Sequence, residues 1–78
     1  MNFFNLYSYH DYEEAYYKGQ FVNCKKIGLY LLSKLSDKRS KQLYRQLENF
    51  EYKWETFGKA EQDLLSQVKI WLMVNSYF

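Results

Sequence analysis

His10 is the only histidine in the chain, and Glu14 follows it at the spacing of one helical turn. Side chains at i and i+4 lie on the same face of a helix and can share a metal ion, but a functional site needs at least three protein ligands. Asp11 and Glu13 point to other sides of the helix. We therefore expect no metal site, and we interpret His10 as an exposed residue in the first turn of a helix.

Cys24 is the only cysteine, and Lys25 and Lys26 directly follow it. Basic neighbours lower the pKa of a thiol, but a catalytic cysteine also needs a base to activate it. The only candidate base, His10, lies at the far end of the preceding helix. Cys24 also falls on the apolar side of its own predicted helix, so we interpret it as a buried structural cysteine. A single cysteine forms no intramolecular disulfide and is typical of a reducing compartment.

The other common signatures of catalysis are missing from the sequence. It contains no glycine-rich phosphate loop, no nucleophile elbow and no cluster of metal ligands. The acidic residues are scattered along predicted helix surfaces, as solvated carboxylates usually are. We therefore expect that the protein is not an enzyme and needs no cofactor.

The elements that position these residues are predicted from hydrophobic periodicity and from the complete absence of proline. Ser8 and Asp11 have the spacing of a capping box, and Gly19 and Gly58 are plausible helix ends. Ser36 or Asp37 can serve as the N-cap of a later helix. The pattern predicts helices at about residues 8–18, 21–35, 37–57 and 59–75.

The second predicted helix carries the clearest apolar seam. Phe21, Cys24, Gly28, Leu31 and Leu35 recur at alternating spacings of three and four residues. A glycine inside a helix costs about 1 kcal/mol relative to alanine. We therefore expect a neighbouring helix to approach closely at Gly28.

The third and fourth predicted helices have seams of the same kind. The third seam is formed by Leu43, Leu47, Phe50, Trp54 and Phe57, and the fourth by Ala60, Leu64, Val68, Trp71 and Asn75. Four amphipathic helices joined by short turns favour antiparallel neighbours. We predict an all-α fold: one domain, residues 1–78, in which about four helices form a small bundle of two antiparallel helical hairpins.

Charge is unevenly distributed although the net charge is only +2. Residues 18–45 form a basic belt, with acidic segments on either side. The belt contains Lys18, Lys25, Lys26, Lys34, Lys38, Arg39, Lys41 and Arg45. These cations can be a solvated surface, meet an acidic protein or neutralise phosphates. Arginine, the usual reader of guanine edges, is scarce, and the acidic flanks would repel a long phosphate backbone.

Aromatic residues make up 22% of the chain and are concentrated near its start. One helix face cannot bury all of them. Either the remainder forms an exposed binding surface, or residues 1–7 fold back over the bundle. The aromatic residues of this stretch are Phe3, Phe4, Tyr7, Tyr9, Tyr12, Tyr16, Tyr17 and Phe21.

Residues 15–24 read Ala-Tyr-Tyr-Lys-Gly-Gln-Phe-Val-Asn-Cys. This segment resembles the turn of a tetratricopeptide repeat, in the spacing of Gly19, Phe21 and Cys24. Only one such unit is visible, no proline closes it, and the third predicted helix is too long for the repeat's period. The resemblance implies a helical hairpin used for protein binding.

We predict a small, non-catalytic protein–protein interaction module: an adaptor, assembly factor or inhibitor of a larger protein. The alternative is a nucleic-acid-binding regulator that uses the basic belt. Self-association is expected because the chain is short and rich in apolar faces. No segment has the pattern of a signal peptide or a membrane span, so we expect a cytoplasmic protein. The predicted partner-binding residues are Tyr9, Tyr12, Tyr16, Tyr17, Lys25, Lys26, Lys38, Arg39, Lys41 and Arg45.

Overall fold

The computed structural model describes residues 6–50 and 58–75 of the chain. These residues form helices and connecting turns, and no strand occurs among them. The predicted all-α fold is thereby confirmed. The helices are α1 (Tyr9–Tyr17), α2 (Phe21–Ser33), α3 (Lys38–Asn49) and α4 (Lys59–Asn75).

Two helices begin with the caps that the sequence predicts. The backbone N–H of Ser8 donates to Oδ2 of Asp11 at 2.8 Å, within the predicted capping box. Asp37 caps α3, and its carboxylate accepts from the backbone N–H of Ser40 at 3.0 Å and from the Ser40 hydroxyl at 2.6 Å. The bonds from Ser40 hold the pKa of Asp37 below its usual value.

Gly19 ends the first helix as the sequence predicts. Its φ angle of 70° lies in the left-handed region, which glycine adopts without a Cβ clash. The N–H of Gln20 donates to the carbonyl of Ala15 at 3.0 Å, and that of Gly19 to Tyr16 at 3.1 Å. These bonds satisfy carbonyls of the last turn of α1 and reverse the chain into α2.

Helix α2 lies at the centre of the bundle and packs against the other three helices. Neighbours in the chain run antiparallel: Gly28 faces Tyr12 in the first half of α1, and Leu47 near the end of α3. Near the start of α2, Lys25 reaches Phe50, just beyond α3. Helix α4 lies against α1, α2 and α3, which closes the bundle.

The core contains the predicted seam of α2. Phe21 and Cys24 are fully buried, Leu31 is nearly so, and the predicted close approach at Gly28 is confirmed. A Cβ atom on Gly28 would lie 2.9 Å from the Tyr12 ring and 3.1 Å from Leu47. The other helices contribute the buried side chains Tyr12, Ala15, Leu43, Leu47, Leu64, Leu65, Val68 and Leu72.

Helix α3 ends earlier than its amphipathic pattern predicts. The predicted helix continued without interruption to residue 57, but Phe50 has an extended backbone (φ −77°, ψ 117°) and α3 stops at Asn49. The Phe50 carbonyl accepts from Nζ of Lys25 at 2.8 Å, a contact with α2 that satisfies this carbonyl outside the helix. Residues 51–57, which include Trp54 and Phe57, lie outside the described residues.

The described part of the N-terminal segment folds back onto α2. The backbone N–H of Leu6 donates to the Tyr30 hydroxyl at 2.9 Å, and the Tyr7 and Tyr30 rings meet edge to face at 5.6 Å. Residues 1–5 lie outside the described residues. No helix within residues 6–50 and 58–75 is both long enough and apolar enough to cross a membrane.

Candidate functional site

The two residues whose side chains are best suited to catalysis or metal binding lie on different helices. His10 is exposed in the first turn of α1, whereas Cys24 is fully buried in α2. Burial raises the pKa of the Cys24 thiol to about 12, so at neutral pH the thiol is protonated and unreactive. Across the described ranges no three His, Cys, Asp or Glu side chains form a group able to hold a metal ion.

Tyr12 does not belong to a binding surface, and its prediction as a partner-binding residue is wrong. The side chain is fully buried, and its hydroxyl donates to the Leu65 carbonyl at 2.6 Å. Burial, with the Cys24 thiol beside it, raises the pKa of the Tyr12 phenol well above its usual range. Tyr9 stacks on Tyr12 with ring centroids 6.5 Å apart and is itself half-buried.

Tyr16 and Tyr17 remain accessible at the end of α1. Their rings meet edge to face at 5.2 Å, and Tyr17 is 69% exposed. The ammonium group of Lys69 on α4 lies 5.7 Å and 5.6 Å from the two ring centroids. Both distances fall within cation–π range, so this aromatic pair already has a cationic neighbour within the chain.

The basic belt is not one surface. Lys25 donates to the end of α3, and Lys26 lies over the Tyr7 ring at 5.9 Å on the N-terminal side of the bundle. Arg39 turns toward α4, where its guanidinium donates to Gln42 at 2.9 Å and to Gln67 at 3.4 Å. The folded chain therefore separates these three cations, which the sequence places in a single belt.

Three cations of the belt do share one face. Lys38, Lys41 and Arg45 follow one another at spacings of three and four residues on the solvent side of α3, and all three are exposed. Within residues 6–50 and 58–75, none of them forms an ion pair. With Ser36 and Gln42 they line a depression of about 440 Å³. We call Lys38, Lys41 and Arg45 the basic face.

An apolar groove lies directly beside the basic face, between α2 and α3. Leu35 and Tyr44 contribute its apolar surface above the buried Leu32, and its volume is about 320 Å³. Its other lining residues are Ser33, Lys41, Arg45 and Glu48. Lys41 and Arg45 line both the groove and the depression, so the two are continuous.

The predicted aromatic and basic residues do not form a joint surface. Helices α1 and α3 make no contact among the described elements, so Tyr16 and Tyr17 lie on a different side of the bundle from the basic face. The sequence interpretation missed Lys69, whose position over the tyrosines depends on the packing of α4. It also missed the groove, although the half-buried Leu35 lies in the turn that joins α2 to α3 and the half-buried Tyr44 lies in α3 itself.

Comparison of the chain with protein-family models, with curated proteins and with solved structures finds no match.

Proposed function

We propose that this chain is a small, non-catalytic protein-binding module that docks an acidic surface of a larger protein onto the basic face of α3. Such a module acts as an adaptor, an assembly factor or an inhibitor. The observation that carries the proposal is the exposed set of Lys38, Lys41 and Arg45, unpaired within the described chain and continuous with an apolar groove. Charge complementarity of this kind speeds encounter and selects the partner.

The helical framework supports a binding role more than a chemical one. Cys24 is buried and protonated, and His10 lies on another helix. The turn at Gly19, where the sequence resembles a tetratricopeptide repeat, is in keeping with protein binding. The free, buried thiol supports a reducing, cytoplasmic setting.

A nucleic-acid-binding regulator is the alternative function, and the division of the belt weighs against it. A phosphate backbone is bound by many cations along one path, and each contact releases counterions. Here Lys25, Lys26 and Arg39 point away from the basic face.

The test is an affinity capture from the source cells, followed by mass spectrometry. The bait is the full chain, either unchanged or with Lys38, Lys41 and Arg45 all replaced by glutamate. The control bait carries glutamate at Lys18, Lys26 and Lys59, which changes the net charge equally on other parts of the surface. We expect the unchanged and control baits to retain a protein partner that the basic-face variant loses. Equal capture by all three baits would contradict the proposal.

We also propose that the chain self-associates. Ile70, Met73 and Val74 are each more than half exposed and lie within about one turn of one another on α4, and clustered exposed apolar side chains are typical of an interaction surface. Light scattering over a concentration series is expected to show a rising mass. A constant monomer mass up to millimolar concentration would show that this proposal is wrong.

A further inference from the structure

The groove between α2 and α3 is lined by both apolar and cationic side chains. Leu32 is buried at its base, and the half-buried Leu35 and Tyr44 line it. Lys41 and Arg45 stand at its edge and continue into the basic face. A ligand that enters the groove therefore meets apolar surface and positive charge within the same few ångströms.

We infer that the groove receives the apolar side chains of an acidic amphipathic segment, whose carboxylates lie against Lys38, Lys41 and Arg45. This inference rests on the proposed function and deepens it, because it names the chemistry of the partner and where each part of it binds. Amphipathic helices bind grooves in this way, with apolar residues at i, i+3, i+4 and i+7 as anchors.

The dimensions of the groove suit such a segment. A volume of about 320 Å³ lies at the lower end of the range of small ligand sites, enough for two or three side chains. Helix α3 has 12 residues, so it is about 18 Å long at 1.5 Å per residue. Lys38 and Glu48 mark the two ends of the basic face and the groove and lie ten residues apart, about 15 Å along α3, so a partner helix of about three turns matches the two together.

Charge and apolar surface together favour an acidic amphipathic segment over a cationic helix or a nucleic acid. The basic face would repel a cationic helix, and a nucleic acid would satisfy the cations but leave the apolar lining of Leu32, Leu35 and Tyr44 without a matching group. Among the residues that the structure describes, Glu48 is the one carboxylate that lines the groove. It lies one turn beyond Arg45, so the partner's acidic residues are expected opposite Lys38 and Lys41 and its uncharged end opposite Glu48.

The experiment is a titration of the isotope-labelled full chain, followed by the NMR shifts of its backbone amides. The first probe is a synthetic helix of about 15 residues with leucine at i, i+3, i+4 and i+7 and glutamate at the flanking positions. A second peptide has serine in place of every leucine, and a third has lysine in place of every glutamate. A single-stranded oligonucleotide of about 12 nucleotides is the fourth probe.

The acidic, leucine-containing peptide is expected to shift the amides of Ser33, Leu35 and Tyr44, together with those of Lys41 and Arg45. We expect it to bind at least about tenfold more tightly than either other peptide, a difference of about 1.4 kcal/mol. The substitutions are made in the peptide, so the folding of the protein is not in question.

The outcomes separate the inference from the function on which it rests. If the serine peptide binds as tightly as the leucine peptide and shifts only the basic face, the groove inference is overturned but the acidic-partner function stands. If neither acidic peptide shifts any amide at millimolar concentration, both are overturned. Tighter binding of the oligonucleotide, with affinity falling steeply as salt rises, would favour the nucleic-acid alternative.

A second copy of the chain is the remaining occupant. Shifts of Leu35 and Tyr44 that depend on protein concentration, with no peptide added, would show that the groove is a self-association surface and would overturn the inference. As a check on the site, replacing Lys41 and Arg45 by glutamate is expected to weaken binding of the leucine peptide about tenfold. The same replacement at Lys26 and Lys59 should leave the affinity unchanged.

Discussion

Tyr12 is the residue at which the packing of α1, α2 and α4 converges. Its ring covers Gly28 on α2, and its hydroxyl donates to the Leu65 carbonyl on α4 at 2.6 Å. A buried phenol without a partner would cost free energy, so the bond to Leu65 fixes where the ring can lie. Glycine is then the only residue type at position 28 that leaves room for the Tyr12 ring at this distance.

We expect Gly28→Ala to destabilise the protein, although alanine is the better helix former. The added Cβ would lie 2.9 Å from a ring that is held by its hydroxyl, and overpacking of this kind costs roughly 1–3 kcal/mol. The gain in helix propensity is about 1 kcal/mol, which leaves a net loss of about 1 kcal/mol in the free energy of unfolding. Urea denaturation followed by circular dichroism measures it.

The control is Asn23→Ala on the exposed side of α2, which changes helix propensity and removes only a long, exposed hydrogen bond from Asn23 to the Gln20 side chain at 3.4 Å. It should be neutral or slightly stabilising. A stabilised Gly28→Ala variant would mean that the Tyr12 ring can move away, contrary to the packing described above.

The buried thiol makes stability depend on pH in the alkaline range. The pKa of Cys24 is about 12 in the folded chain and about 9 when exposed, so the unfolded state loses its proton first as pH rises. The contribution of the protonated thiol to the free energy of unfolding is fully present below pH 9 and is lost between pH 9 and 12. Tyr12 adds an effect of the same sign, because burial raises its pKa too. Each group is expected to lower the free energy of unfolding by at most about 1.4 kcal/mol per pH unit.

Urea denaturation between pH 7 and 11 tests this dependence. Cys24→Ala should give a shallower decline above pH 9, whatever its stability at neutral pH. An identical slope in the variant would show that the thiol does not contribute.

At the residue scale, periodicity predicted part of this arrangement. It placed Phe21, Cys24 and Gly28 on one buried seam, because apolar spacing on a single helix is local information. It could not decide which tyrosines of α1 face inward, because Tyr9, Tyr12 and Tyr16 share one face and the pattern does not determine how far that face turns toward the bundle. The packing of α4 determines that Tyr12 faces inward, because the Tyr12 hydroxyl donates a hydrogen bond to the Leu65 carbonyl of α4.

At the scale of elements, the start of α3 is tied to α4 through a buried serine. The Ser40 hydroxyl donates to Asp37 at 2.6 Å and accepts from the indole N–H of Trp71 at 2.7 Å. Ser40 is the one fully buried polar residue among those the structure describes. This one hydroxyl therefore links the cap of α3 to the packing of α4.

Ser40→Ala is expected to lower the free energy of unfolding by about 1–3 kcal/mol, because the Trp71 indole loses its acceptor in a partly buried site. Ser36→Ala, at an exposed position four residues earlier, is the matched control and should change it by less than about 0.5 kcal/mol. Thermal and urea denaturation measure both variants. If Ser40→Ala is as stable as the unchanged protein, a water molecule replaces the Ser40 hydroxyl without a cost in free energy.

The end of α3 shows what sequence could not predict about an element. The apolar spacing of Leu43, Leu47, Phe50, Trp54 and Phe57 continues past Asn49 without a glycine or proline to interrupt it. The extended backbone at Phe50 accompanies a bond from Lys25, which is distant in sequence and belongs to another helix. Local pattern predicts where a helix can continue, whereas this end depends on tertiary contact.

At the scale of the whole molecule, the basic face contributes little to the fold. Lys38 is the first residue of α3, where the positive end of the helix dipole disfavours a cation. Neither Lys38 nor its neighbours Lys41 and Arg45 forms an ion pair within residues 6–50 and 58–75. Residues that lower the stability of the helix and form no ion pair within the described residues are expected to serve binding.

A single substitution at Lys38 is expected to have opposite effects on stability and on binding. Lys38→Glu should raise the free energy of unfolding by about 0.5–1 kcal/mol, because a carboxylate suits the N-terminal turn, while it weakens capture of an acidic partner. Lys59→Glu is the matched control, because Lys59 is likewise the first residue of its helix and is exposed. It should raise stability similarly and leave binding intact. If Lys38→Glu stabilises the protein and binds as well as the unchanged chain, the basic face is a solvated surface and its cations have no partner.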